Sequence, residues 1–135
     1  MNPEGKRKLD LSDMGIEDEA MKIVVKIIIK SPQTFSQLNL SKNIFRDEGL
    51  KMLALFLKDD QSFMHVDVSG NSITQEGSEF FFEQLAGQVY LTSLVFANKD
   101  CKGSKIKMGL RGAVALKQTL SRPECLISHL DLTHN

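Results

Sequence analysis

A short pattern, apolar-x-apolar-x-x-Asn, recurs along this chain and narrows its fold more than any other feature. Leu38-Asn-Leu40-Ser-Lys-Asn43 and Val66-Asp-Val68-Ser-Gly-Asn71 are the two clear copies, and their asparagines stand 28 residues apart (71 minus 43). A fixed period of this size describes a solenoid, in which one unit cannot bury its apolar face alone and stacks on its neighbours to do so. In both directions the phase continues through Leu9-Asp-Leu11-Ser-Asp-Met14, Leu94-Val-Phe96-Ala-Asn-Lys99 and Leu130-Asp-Leu132-Thr-His-Asn135, so repeats start near 9, 38, 66, 94 and 130. Each copy alternates as a strand does. Between copies the spacing becomes helical, as in Asp47-Glu-Gly-Leu50-Lys-Met-Leu53-Ala-Leu-Phe56-Leu57, where apolar residues fall three and four apart. Gly49 follows Asn43 by six residues and Gly77 follows Asn71 by six, while Ala20 holds the same offset from Met14.

The segment Phe35-Ser-Gln-Leu38-Asn-Leu40-Ser-Lys-Asn43-Ile-Phe45, with Arg-Asp-Glu-Gly-Leu50 after it, resembles a leucine-rich repeat of the ribonuclease-inhibitor-like class. The resemblance covers nearly the whole chain. It implies an α/β leucine-rich repeat solenoid, with a curved parallel sheet of about five strands and helices on the convex face. It also implies a role for the repeated Asn, whose side chain in that class satisfies backbone groups at the turn leaving each strand; a buried backbone group left unpaired costs roughly 1 to 3 kcal/mol. Asn43, Asn71 and Asn135 match this role, Met14 and Lys99 depart from it, and Asn98 substitutes for Lys99 after a one-residue slip. The turns at Met14 and Lys99 are therefore expected to be less regular.

Composition agrees with one domain over residues 1–135, at 41% hydrophobic and 25% charged, both ordinary for a globular chain. Lys plus Arg and Asp plus Glu balance at 17 each, so no net field draws the protein to nucleic acid or to an anionic membrane. The longest apolar run, Ile23-Val-Val-Lys-Ile-Ile-Ile29, is broken by Lys26 and falls short of the roughly 18 residues of a membrane span. The first residues, Met-Asn-Pro-Glu-Gly-Lys-Arg-Lys, form no apolar signal core. Cys101 and Cys125 stand far apart with no cysteine cluster, which favours a reducing compartment and a cytoplasmic location.

Acids gather at the expected helix starts: Glu17, Asp18 and Glu19 before the first, Asp47 and Glu48 before the second, Glu76 before the third. The partial positive charge at a helix N-terminus favours them there. The fourth helix breaks this rule. Its approach carries a basic insertion, about residues 100–111, with Lys102, Lys105 and Lys107, and Arg111 closing it. Insertions in solenoids form loops on one face, often where partners bind, so this loop is a candidate acceptor for a phosphate or an acidic protein surface. Gly103-Ser104-Lys105 lacks the glycine spacing of a phosphate-binding loop, and nucleotide hydrolysis is not expected.

Strand alternation also defines the concave face of the sheet. Its residues are Lys8, Asp10, Ser12; Gln37, Asn39, Ser41; His65, Asp67, Ser69; Ser93, Val95, Ala97; and His129, Asp131, Thr133. Down the middle runs Asp10, Asn39, Asp67, Val95, Asp131, a modestly acidic surface suited to a basic segment of a protein partner. The alternative is that Leu-Asp-Leu-Ser is simply the wording of the repeat. His65 with Asp67 and His129 with Asp131 sit on the third and fifth strands, about 10 Å apart at the usual strand spacing, too far to share a metal ligated at about 2 Å. Neither metal nor cofactor is expected. Cys101 lies among lysines that favour its thiolate but has no histidine placed as a base, so no enzyme is expected.

The candidate partner-binding residues are thus Asp10, Gln37, Asn39, His65, Asp67, Ser93, His129 and Asp131, with Lys102, Lys105 and Lys107 second. The expected function is non-catalytic protein recognition. The resemblance offers as an alternative the regulation of a small GTPase, a nucleotide-binding protein or an actin-type cytoskeletal protein. The pattern stops inside a repeat at Asn135, so the chain reads either as a fragment of a longer array or as a protein whose final strand edge pairs with another chain, for example in a homodimer.

Overall fold

The computed structural model describes residues 7–30, 35–98 and 107–135. Five strands alternate with four helices in chain order: β1 Arg7–Asp10, α1 Asp18–Lys30, β2 Phe35–Asn39, α2 Asp47–Leu57, β3 His65–Asp67, α3 Gln75–Leu85, β4 Ser93–Val95, α4 Gly109–Leu120 and β5 His129–Asp131. The strands form one parallel sheet in sequential order, and each helix packs on the next. This is the solenoid expected from the periodicity, in the α/β form that the resemblance to leucine-rich repeats implies. None of the described helices is long and apolar enough to cross a membrane.

Register follows the repeat residue for residue. Leu9, Leu38, Val66, Leu94 and Leu130 pair in one line across the sheet, and their side chains turn toward the helices. The core between sheet and helices holds Leu38, Leu40, Val66, Val68, Leu94 and Phe96 from the strand segments. It also holds Met21, Leu50, Leu53, Leu57, Phe81, Phe82 and Leu116 from the helices. Burying one such side chain fully contributes about 1.5 to 3 kcal/mol, so the stack is stabilised mainly here. Phe82 and Phe96 meet with ring centroids 4.9 Å apart.

Polar bonds between repeats keep the layers in register. Asn43 donates from Nδ2 to Leu11 O at 2.9 Å and Leu40 O at 3.0 Å, while its Oδ1 accepts from the N–H groups of Met14 and Ile16 at 2.9 and 3.1 Å. Asn71 repeats the donor half, to Leu40 O at 3.0 Å and Val68 O at 3.1 Å, and Asn135 gives to Phe96 O and Leu132 O. Contrary to the expectation from Met14, the first turn is regular: Asp13 takes the same left-handed backbone (φ 54°) as Lys42 and Gly70 and donates its N–H to Ser41 O at 3.0 Å, because the Asn of the next repeat captures the Met14 amide. At the fourth turn Asn98 is buried and its Nδ2 reaches Ile73 O at 3.5 Å. Its own N–H keeps the repeating turn bond, to Thr133 O at 2.9 Å, as Lys42 and Gly70 keep theirs to Ser69 O and Ala97 O.

The helix-start acids act differently from the sequence expectation. Asp18, in the first turn of α1, accepts through Oδ1 from the N–H groups of Arg46 (2.8 Å) and Gly49 (2.9 Å) at the start of α2. Asp47 of α2 accepts from the Thr74 N–H at 2.9 Å, and from its hydroxyl, at the start of α3. Gln75 of α3 accepts from the Arg111 N–H at 3.0 Å in α4. Each of these side chains therefore caps the next helix rather than its own. The residues at the N-cap positions, Arg46 and Thr74, make no side-chain cap bond themselves, because the neighbouring repeat has already satisfied those orphan amides. The recurrent glycine follows from this: a Cβ on Gly49 would lie 2.7 Å from Asp18 Oδ1, and one on Gly77 would enter the Asp47 carboxylate.

Candidate functional site

The face of the sheet opposite the helices carries the polar residues of every strand. Parallel register draws them into two rows: Lys8, Gln37, His65, Ser93 and His129, then Asp10, Asn39, Asp67, Val95 and Asp131. Neighbouring strands stand about 4.8 Å apart, so the rows run across the whole stack. Asp10, His65 and His129 are exposed, and Gln37, Asn39, Asp67, Ser93 and Asp131 are half-buried. A shallow depression of about 110 Å³ lies over the middle strands, lined by Lys8, Gln37, Asn39, His65, Asp67 and Ser93 among others. All eight strand residues singled out from the sequence are brought together on this one face.

The acidic row also has a structural duty that sequence reading left undefined. Asp10 Oδ1 accepts from the Ser12 N–H at 3.0 Å and the Ser12 hydroxyl at 2.7 Å. Asp67 Oδ1 does the same with Ser69 at 2.9 and 2.6 Å, and Asp131 with the N–H and hydroxyl of Thr133. Asn39 Oδ1 accepts from the Ser41 N–H at 2.9 Å. These are side-chain turns that close each strand. The signal for them was present in the sequence as an Asp or Asn followed two residues later by Ser or Thr. The Ser12 hydroxyl, with its backbone N–H behind it, holds the Asp10 carboxyl below its ordinary range. Thr133 does the same for Asp131. Both carboxylates are charged at neutral pH, and the turn bonds of each go to Oδ1. Lys8 Nζ stands 3.9 Å from Asp10 Oδ2, which tempers the acidity at the β1 end.

The remaining candidates fall elsewhere. Lys107 is exposed at the approach to α4, outside the strand rows. Beside it, the Met108 N–H donates to Asn135 Oδ1 at 3.1 Å, which ties this approach to the turn after β5. Lys102, Lys105 and Cys101 lie outside the described residues. Among the described residues no group of three or more His, Cys, Asp or Glu side chains is arranged to hold a metal ion. A larger apolar hollow of about 450 Å³ opens at the far ends of α1 and α2, lined by Ile28, Ile29, Leu55, Phe56 and Asp59 among others. No strand motif pointed to it, because it is lined by the ends of α1 and α2 and the segment that follows α2.

A protein-family model described as Leucine Rich repeat matches residues 31–54, a stretch that includes β2, its Asn43 turn and most of α2. A search of the curated proteins finds no match. Leucine-rich repeats generally mediate protein–protein interaction and are typically non-catalytic.

Proposed function

We propose that this chain is a protein-recognition module of the ribonuclease-inhibitor-like class that works in a reducing, cytoplasmic compartment and binds its partner across the open face of the sheet. The observation that carries the reading is the alignment of two rows, polar apart from Val95, on a face that none of the described helices covers. Repeat surfaces of this kind present side chains at fixed spacing on a rigid support, which lowers the entropy lost when a partner docks. Full helices between the strands support the class, since each of the four spans at least eleven residues. The row of Asp10, Asp67 and Asp131 favours a partner segment bearing Lys or Arg, and the histidines beside it add hydrogen-bonding groups.

The turn bonds decide how this is tested. Reversing Asp67 would break the Ser69 turn as well as the surface, so lost binding would be ambiguous. His65 and His129 are exposed and lie in the same rows without a turn to hold. Affinity capture from cell extract, read by mass spectrometry, is expected to recover a protein with the parent chain and to lose it with His65→Glu combined with His129→Glu. Equal recovery by both folded chains removes the open face as the site.

A further inference from the structure

At one end of the stack, α1 shows to solvent a face that the later helices cover wholly or in part. The repeat alignment places Ala20, Ile23 and Ile27 of α1 with Gly49, Met52 and Phe56 of α2, with Gly77, Phe80 and Gln84 of α3, and with Gly112, Ala115 and Thr119 of α4. In the later helices this row meets the preceding one. Gly77 abuts Asp47, Phe80 lies under Lys51, and the Thr119 hydroxyl donates to Phe82 O at 2.6 Å. In α1 the same row leaves Ile23 61% and Ile27 55% exposed. Lys30 continues it by a further three residues. Beside it, β1 is hydrogen-bonded to β2 alone among the described strands.

Residue chemistry narrows what fits this surface. A helix arriving in the repeat's own register would bring a capping side chain to the seat that Gly49 and Gly77 keep open. The seat on α1 is filled by the Ala20 methyl, and at Gly49 an added Cβ would already come within 2.7 Å of the capping oxygen. The fit is better for a helix that crosses in the opposite direction. Asp18 is taken up by the start of α2, but Glu19, whose side chain is 79% exposed beside Lys22, stands in the first turn of α1 and Lys30 in its last, so the charges suit such a meeting.

We propose that α1 and the outer edge of β1 form an interface with a second copy of this chain about a twofold axis. Antiparallel packing of the two α1 helices sets Ile23 of each copy against Ile27 of the other. It also brings Glu19 of each to the Lys30 end of its partner. The two β1 strands then meet as antiparallel neighbours, which pairs the outer edge of each, and a strand edge left unpaired invites uncontrolled association. Such an interface is self-complementary, so every substitution acts twice.

The test is sedimentation equilibrium of the whole chain over a range of concentrations, with circular dichroism to verify the fold of each variant. The parent is expected to be a dimer. Ile23→Asp should raise the dissociation constant at least about tenfold, as for a central apolar anchor. Leu110→Asp, on the exposed face of α4 at the other end of the stack, should leave it unchanged. Glu19→Lys and Lys30→Glu should each weaken the dimer and together restore it. A parent monomeric at every concentration overturns the proposal and leaves the α1 face to a different partner. A dimer that survives Ile23→Asp, or that is lost with Leu110→Asp, overturns it as well, and failure of the charge swap to recover overturns the antiparallel arrangement.

Discussion

The turns after β2 and β4 follow the same apolar-x-apolar opening and are held by different means. After β2, Asn43 uses both ends of its amide, taking in Leu11 O and Leu40 O on one side and the Met14 and Ile16 amides on the other. After β4 the repeat position belongs to Lys99, and Asn98 is the residue turned into the protein, toward Ile73 O. The following helix shows a matching change. α2 and α3 are capped by the carboxylates of Asp18 and Asp47, whereas α4 is capped by the neutral amide of Gln75 and has no acid in its own first turn. A solenoid tolerates such a lapse because each repeat answers only to its neighbours. The β-strand register through β4 and β5 is kept even so.

The strongest way to break the regular half is to remove Asn43. Asn43→Ala strands two carbonyls and two amides between the first and second repeats, and is expected to cost roughly 3 to 4 kcal/mol, given about 1 kcal/mol or more for each buried group left unsatisfied. Asn71→Ala sharpens the comparison. Its Oδ1 is buried with no hydrogen-bond donor among the described residues, so the loss should be smaller by at least about 1 kcal/mol. Urea denaturation of both variants decides this, and equal losses would mean that the acceptor half of the amide contributes nothing.

Next in size is the glycine seat. Gly77→Ala drives a Cβ into the Asp47 carboxylate and is expected to destabilise by about 2 kcal/mol, in the ordinary range for a forced core contact. Gly87→Ala meets nothing within 4 Å and is expected to stabilise by about 0.4 to 1 kcal/mol through the unfolded chain. Adding Asp47→Ala to Gly77→Ala should return part of the loss, a coupling that a double-mutant cycle on thermal or urea unfolding reads directly.

The smallest effect is electrostatic and compares the two ends of the sheet. Asp10 and Asp131 have carboxyls held below the usual value of 3.8 by Ser12 and Thr133. A depressed folded pKa gives stability that is present above the unfolded value and is lost as pH falls through the folded one. The urea midpoint should therefore be flat with respect to these two groups above about pH 5 and should decline below about pH 4. Asp10→Asn with Asp131→Asn should flatten part of that decline. An unaltered acid slope would show that the two end turns do not sense their carboxylate charge.

Strands, their register and the composition of the open rows were legible because alternation and a near-constant period are properties of neighbouring residues. The turn duty of Asp10, Asn39, Asp67 and Asp131 was half legible, since the Ser or Thr two residues on was in view but its bond was not. Glu17, Asp18 and Asp47 were read as serving their own helices, which is what local charge suggests.

Periodicity therefore determined the solenoid and the side of the sheet on which each strand residue stands, because a pleated strand and a stacked repeat leave few other ways to bury leucines. Only the stacking decided which helix each cap serves and why glycine recurs at 49 and 77. Those bonds join residues 27 to 36 positions apart, and such a distance is closed by packing one repeat on the next.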